Sequence, residues 1–375
     1  CNPGTLNKEK LKTYKKLGIN RLSFGLQSAF DEELKTLGRI HTFRDFMDNM
    51  EEARALGFDN INVDLMSAIP GQTLASWKRT LAQIAMTAPE HISAYSLIVE
   101  PGTPFYEAYG EGDVTAGHGA SAGNAGLAAN VPAPAFCALN NAPADPETLA
   151  YLKSLKLPGE ETERQMYYDT LAVLESAGYY RYEISNYSKP GYECMHNIGY
   201  WTGENYLGMG LGAASMVDGI RWKNTEDMAA YMGHDFGGDR YDTAAAVLEG
   251  KASEEADAEA VAAGLASAEA PAGQNSPIHI DIEKLSHADK MAEYIILGLR
   301  LTRGFSMEQF MDRFGVSFMF KFGDIVRELD EKDLIKVTQT EYTDPVTGKD
   351  SVDTRVALTA RGIDVSNTVM AEFMP

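Results

Sequence analysis

Between residues 8 and 98 one pattern occurs three times: an amphipathic helix closing at Gly or Pro, then an apolar run ending in polar residues. KEKLKTYKKLG leads into INRLSFGLQ, FRDFMDNMEEARALG into FDNINVDLM, and SWKRTLAQIAMTAP into EHISAYSLI. Helix-period segments alternating with short strands imply parallel βαβ units. In Leu17-Gly18 and Leu56-Gly57 the glycine falls just past the helix, where a left-handed φ costs it nothing, and the strand follows at once. The strands finish on Gln27, Asp64, Ser96 and Glu100. Ligands of barrels and open α/β sheets sit at that carboxyl edge, which makes Gln27 and Asp64 binding candidates; capping of the next turn is the competing use. Three such units cannot close a barrel of about eight strands. The opening CNPGT reads as a strand end and a turn, so further strands are expected before Cys1.

The chain has 375 residues, enough for one large domain and a smaller one. Its 33 basic and 54 acidic residues give a net charge of −21, which repels nucleic-acid phosphates and anionic membranes alike. No apolar run approaches the roughly 18 to 20 residues needed to span a bilayer, and no signal peptide opens the chain. A cytoplasmic protein without nucleic-acid or membrane partners is expected. The three cysteines, Cys1, Cys137 and Cys194, are too scattered for a disulfide framework or a C-x-x-C zinc site and read as reduced thiols.

Composition divides the chain further. Residues 1–111 hold the βα units. Residues 112–150 are rich in Ala, Gly and Pro and contain no Lys or Arg, and 243–276 are Ala-rich and acidic; both read as flexible insertions, with His118 solvated in the first. Between them, 151–242 begins with a helix that stops near Gly178 and runs into a strand. In 277–375 three helices precede a hairpin around Asp344-Pro345, a winged-helix-like order. Residues 281–375 carry 17 acidic and 12 basic side chains, a net of −5, where DNA binding needs a basic stripe.

Two motifs bear on chemistry. LGMGLGAAS places Gly208, Gly210 and Gly212 at G-x-G-x-G spacing, but it lacks the third glycine of a dinucleotide fingerprint and no clear strand leads into it. It reads as a tight turn, or as backbone that approaches a flat ligand. YECMHNIGYW, residues 192–201, offers an imidazole on His196 for iron or zinc, with Tyr200 and Trp201 as flat apolar surface. Cys194, two residues earlier, would share a face with His196 in a strand and is a further candidate ligand. The alternative is core packing, with His196 donating to a backbone carbonyl, and on the residues alone that is the commoner use.

Taken together, INRLSFGLQS, LGRIH, NINVDLMSAIPGQT, HISAYSLIVEPGTPFY, YEISNYS, HNIGYW and YLGMGLGAAS resemble the radical S-adenosylmethionine (SAM) proteins of the oxygen-independent coproporphyrinogen III oxidase superfamily, the haem chaperone HemW branch above all. The resemblance runs along the chain, interrupted by the two insertions. It implies a partial radical-SAM βα barrel, its N-terminal strands missing, followed by a smaller α+β domain of winged-helix type. It also implies SAM and a [4Fe–4S] cluster held by a C-x-x-x-C-x-x-C motif. That motif does not occur in these residues, and by the resemblance it lies before Cys1 with a Gly-rich SAM turn. These 375 residues alone are therefore not expected to hold the cluster or to perform radical chemistry. Gln27, Arg39 and Asp64 match SAM contacts, the carboxylate and amide suiting hydroxyl or amino groups and the guanidinium a carboxylate. His196, Asn197, Tyr200 and Trp201 match the H-N-x-x-Y-W haem motif, with His196 the candidate iron ligand and Asn197 suited to orient it. Two functions follow: a haem chaperone that delivers haem to recipient proteins, or an oxidase of porphyrin biosynthesis that decarboxylates coproporphyrinogen III. The acidic C-terminal region disfavours a third, a DNA-binding regulator.

Overall fold

The computed structural model describes residues 1–110, 145–233, 278–343 and 350–375; the readings of 112–144, His118, Cys137, 243–276 and the Asp344-Pro345 turn lie outside the described residues. The chain divides into two units. One is Cys1–Met195 with Arg300–Arg303 and Leu358–Thr368; the other is His196–Leu299 with Gly304–Ala357 and Val369–Pro375.

The first unit is built on a five-stranded sheet. Helices α1 (Lys8–Lys16), α2 (Asp31–Thr36), α3 (Phe43–Ala55) and α4 (Leu74–Met86) alternate with β1 (Leu22–Gln27), β2 (Ile61–Ser67) and β3 (His91–Ser96). Strands β1, β2 and β3 are parallel neighbours, as the helix–strand alternation predicts. Gly18 and Gly57 follow α1 and α3 at φ +84° and +78°, the left-handed step expected of them. Asn7 caps α1, and Thr42 with Asp45 forms a capping box on α3, so the free N–H groups at both helix starts have acceptors.

Beyond β3 come α5 (Pro104–Tyr109), α6 (Pro146–Ser154) and α7 (Glu160–Ser176), then β4 (Tyr180–Arg181) and β5 (Asn186–Ser188). Helix α6 opens inside the stretch read as a low-complexity insertion over 112–150. Asp145 accepts from the N–H groups of Glu147 and Thr148 while Pro146 occupies the first turn, a start signal that outweighs the surrounding Ala and Gly. The single strand expected after Gly178 is two short strands, and β5 joins β3 antiparallel to extend the sheet. That pairing is why residues 151–195 belong with the βα units.

Strand alternation gives the sheet two unlike faces. Leu22, Phe24, Leu26, Ile61, Val63, Leu65 and Ile92 pack with Phe46, Met50, Trp77, Leu81 and Ile84 of the helices in one core. Each such fully buried Leu, Ile or Phe contributes about 1.5 to 3 kcal/mol of transfer free energy. The other face carries Ser23, Asn62, Asp64, His91, Ser93 and Tyr95, which the strand register sets side by side.

The second unit takes most of α8 (Met195–Trp201), then β6 (Ala214–Val217), β7 (Ile220–Asn224), α9 (Met228–Gly233) and β8 (His279–Lys284). Strands β6, β7 and β8 form an antiparallel meander. Asp218 and Gly219, at φ +52° and +79°, make the two-residue turn between β6 and β7, the backbone a tight hairpin demands. There follow α10 (His287–Arg300), β9 (Phe305–Ser306), α11 (Met307–Phe314), α12 (Phe318–Glu331), β10 (Ile335–Thr343) and β11 (Asp350–Leu358). Short α13 (Ala360–Asp364) and α14 (Ser366–Ala371) end the chain's regular structure. Helix, helix, helix, hairpin is the expected winged-helix order, and β9 adds a third strand on β11. Phe305, Phe310, Phe318, Phe322 and Phe373 make its aromatic core, with ring centroids 5.0 to 6.3 Å apart.

Candidate functional site

In the first unit Gln27 ends β1 at φ +77°, where the register with β2 shifts. A non-glycine residue held in that region is strained, and such strain concentrates at binding sites. Gln27 is 0% exposed; its Oε1 accepts from Tyr95 Oη at 3.0 Å, and its Nε2 has no hydrogen-bond partner among the described residues. A buried amide donor left open costs about 1 to 3 kcal/mol, so its place calls for an acceptor from water or a ligand.

Gln27 pairs in register with Leu65, the neighbour of Asp64. Asp64 Oδ1 accepts from Asn62 Nδ2 at 2.7 Å and Oδ2 from the Ser23 hydroxyl at 3.1 Å. Burial raises the Asp64 pKa, and the hydrogen bonds from Asn62 and Ser23 oppose the rise. Arg39 lies beyond α2 in a loop fastened by His41, whose Nε2–H donates to Leu26 O at 3.2 Å beside Gln27. Burial holds the His41 pKa down, which keeps that imidazole a neutral donor. Arg39 Nη1 donates to Asn2 Oδ1 at 3.4 Å. Gln27 with its open amide and Asp64 with its carboxylate thus stand on neighbouring strands, and the Arg39 guanidinium lies in the loop beyond α2.

A cluster site is a different matter. Cys1 and Cys194 are the free cysteines among the described residues, and no group of three or more His, Cys, Asp or Glu side chains there could hold a metal. The described residues do not fit a three-thiolate cluster.

In the second unit the His196 segment is helical, where a strand would have put Cys194 and His196 on one face. Helix α8 buries none of its residues completely. His196 is exposed, and its ring stands edge-on to Tyr200, four residues on, at 4.8 Å and 77°. Tyr200 in turn meets Tyr206 edge-on at 4.6 Å and 80°. Helical spacing decides these partners, since residues four apart share a face, whereas adjacent Asn197 is set about 100° away round the axis. Half-buried Trp201 completes the segment.

Tyr206 begins the glycine loop. Asn224 Nδ2 donates to Gly208 O at 3.2 Å and Gly210 O at 2.8 Å, and a Cβ on Gly208 would lie 2.2 Å from Ala214 O. The loop is thus a tight turn leading from α8 into β6, closed by the Tyr206–Met216 bridge, and it also displays Leu207, Met209 and Leu211 to solvent, Met209 at 88%.

Comparison with known proteins bears on the family of the chain. The Radical SAM superfamily model matches residues 1–84 and the HemN C-terminal domain model residues 285–341. The heme chaperone HemW of Bacillus subtilis (strain 168) is 30% identical over 335 residues, covering 89% of this chain and 68% of the relative. The chain belongs to the HemW family. The HemW of Lactococcus lactis subsp. lactis (strain IL1403) is 28% identical over 374 residues, 100% of this chain and 74% of its own. Coproporphyrinogen III oxidase (HemN) from Escherichia coli, a radical SAM enzyme, superposes with a TM-score of 0.60 at 16% identity, over 99% of this chain and 68% of that one, a likeness of fold. The radical SAM superfamily to which HemW belongs uses SAM and a [4Fe–4S] cluster. No helix among the described residues is long and apolar enough to cross a membrane.

Of the residues in these two places, sequence reasoning singled out Gln27, Arg39, Asp64 and the four residues of α8. It passed over Asn62, His91, Tyr182 and Tyr206. The first two were within reach, since INVDLMS and HISAYS alternate polar and apolar residues along a strand. Tyr182 and Tyr206 carry no signal short of the pairing itself.

Proposed function

We propose that this chain is a haem carrier. It binds haem through His196, holds SAM with Gln27, Arg39 and Asp64, and passes haem to recipient proteins. What supports the reading is the state of the H-N-x-x-Y-W segment: His196 is exposed, braced edge-on by Tyr200, on a helix with no fully buried residue. Core packing would instead bury the imidazole against a carbonyl. The relatives named heme chaperone HemW supply the cargo in this reading.

The chain's own residues do the carrier's work. The His196 imidazole offers a nitrogen lone pair to iron, and Tyr200 limits the ring's rotation, which lowers the entropy cost of binding. Leu207, Met209 and Leu211 offer apolar surface to a flat macrocycle. An exposed ligand on a short helix leaves the cargo open to a second protein, as delivery requires. At the polar sheet face, Asp64 takes ribose hydroxyls or the amino group and Arg39 the methionyl carboxylate; bound SAM would supply the family's radical chemistry when a cluster is present. The composition fits a cytoplasmic carrier.

Titration of haem into this chain and into His196→Ala, followed in the Soret band, tests the reading. Stoichiometric binding weakened at least about tenfold in the variant, the loss of some 1.4 kcal/mol or more, is expected. Equal binding by both proteins would return α8 to a structural role. Protoporphyrinogen formed from coproporphyrinogen III by a cluster-bearing form would replace the carrier by the oxidase.

A further inference from the structure

The polar face of the first unit's sheet carries a hydrogen-bond chain whose direction chemistry dictates. The peptide N–H of Cys194 can only donate, and it donates to Tyr182 Oη at 3.2 Å. At the other end Asn62 gives its Nδ2–H to Asp64 and turns its Oδ1 to His91 Nδ1, which must donate, so Nε2 accepts the Tyr182 hydroxyl proton at 2.9 Å. A neutral imidazole has one N–H, so His91 carries its proton on Nδ1 and gives it to Asn62 Oδ1 at 2.6 Å. Asn62 Oδ1 also accepts from the Ser93 hydroxyl at 3.2 Å. The other end of that amide donates to Asp64 Oδ1 and to Ser23 Oγ, each at 2.7 Å, and the Ser23 hydroxyl closes the path on Asp64 Oδ2.

Every donor is therefore committed one way, from the Cys194 peptide to the Asp64 carboxylate. Tyr182, His91 and Asn62 are all buried, where hydrogen bonds polarise one another and water does not interrupt them. Burial also keeps His91 neutral, its pKa pulled down to about 3. Tyr182 is itself held, since Thr302 gives both its N–H and its hydroxyl to the Tyr182 carbonyl at 3.0 and 3.1 Å.

We propose that Asn62, His91 and Tyr182 are positioning residues that orient the Asp64 carboxylate for its ligand and couple it to the Cys194 peptide, at the entry to the helix bearing His196. A ligand that draws on Asp64 pulls on the whole file of donors. Its arrival is then felt at Cys194, two residues before the haem-ligand candidate. The coupling rests on the reading of Asp64 as a SAM contact, but the relay is testable without it.

Amide exchange of Cys194 by NMR and calorimetric binding of S-adenosylhomocysteine, measured on the 375-residue chain, on Tyr182→Phe and on Asp64→Asn, provide the test. Both substitutions keep side-chain shape. Tyr182→Phe should weaken S-adenosylhomocysteine about fivefold although the lost hydroxyl lies three hydrogen bonds from Asp64. Asp64→Asn, at the far end, should quicken Cys194 exchange about threefold with no ligand present and no change in the exchange of core strand amides. Unchanged Cys194 exchange in Asp64→Asn overturns the relay. So does undiminished binding by Tyr182→Phe if Asp64→Asn binds less well than the parent. If the parent and Asp64→Asn bind the probe equally, or neither binds, the SAM reading of Asp64 falls, and the ligand-free exchange rate alone decides whether the relay stands.

Discussion

His91 shows how a buried residue can govern acid behaviour without touching solvent. Burial first, and Arg21 second, pull its pKa from the ordinary 6.5 down to about 3. Between those values the unfolded chain binds a proton that the folded chain refuses. The stability this site contributes is therefore complete above pH 6.5 and is lost as the pH falls toward 3, at no more than about 1.4 kcal/mol per pH unit. Urea unfolding of the chain and of His91→Gln at pH 7 and pH 4.5 checks the sign: the parent's advantage should shrink at the lower pH, and a constant difference would detach His91 from the acid response. At this scale the sequence draws attention to a residue only where its position alone marks it. Gln27, Arg39 and Asp64 stood out at strand ends and in a motif, whereas Asn62, His91 and Tyr182 acquire meaning only through bonds spanning 29 and 91 positions of the chain.

Secondary elements were more legible, because period and punctuation are local. The three βα units follow from hydrophobic spacing and from Gly18 and Gly57, and the structure has them parallel as expected. The β6–β7 hairpin escaped although Asp218-Gly219 is a turn signature, and α8 escaped because Gly199, Tyr200 and Trp201 are weak helix formers that carry no strong start signal. Glycines separate two physical situations. Gly18, at φ +84° with nothing within 4 Å of an added Cβ, should tolerate Ala at a cost of about 1 kcal/mol from the backbone alone. Gly304, at φ +66°, would drive a Cβ to 1.8 Å from Val356 O, where β11 meets β9. Thermal unfolding of the two Ala variants should rank them, with Gly304→Ala losing about 3 kcal/mol or more; equal melting temperatures would contradict the close approach.

At the scale of the molecule, the two units are not consecutive lengths of chain. The first reclaims Arg300–Arg303 and Leu358–Thr368 from within the C-terminal half. Those pieces bring Thr302 to the Tyr182 carbonyl, and Asp364, which accepts from the Tyr168 hydroxyl at 2.9 Å. No pattern in the sequence announces such returns, which depend on where the backbone leads rather than on what the returning residues are. A chain ending at residue 284 should therefore unfold at clearly lower urea than the parent, with its βα unit affected; a βα transition at the parent's midpoint would show the returning segments to be dispensable. Anaerobic reconstitution of the 375 residues should likewise give far fewer than the roughly four irons per chain of a cysteine-held cluster. The interleaving has a consequence for inheritance. A recombination breakpoint between residues 196 and 368 would join one parent's βα unit to pieces of another's, so the two halves cannot be traded among relatives as cassettes and are expected to diverge together, by paired substitution.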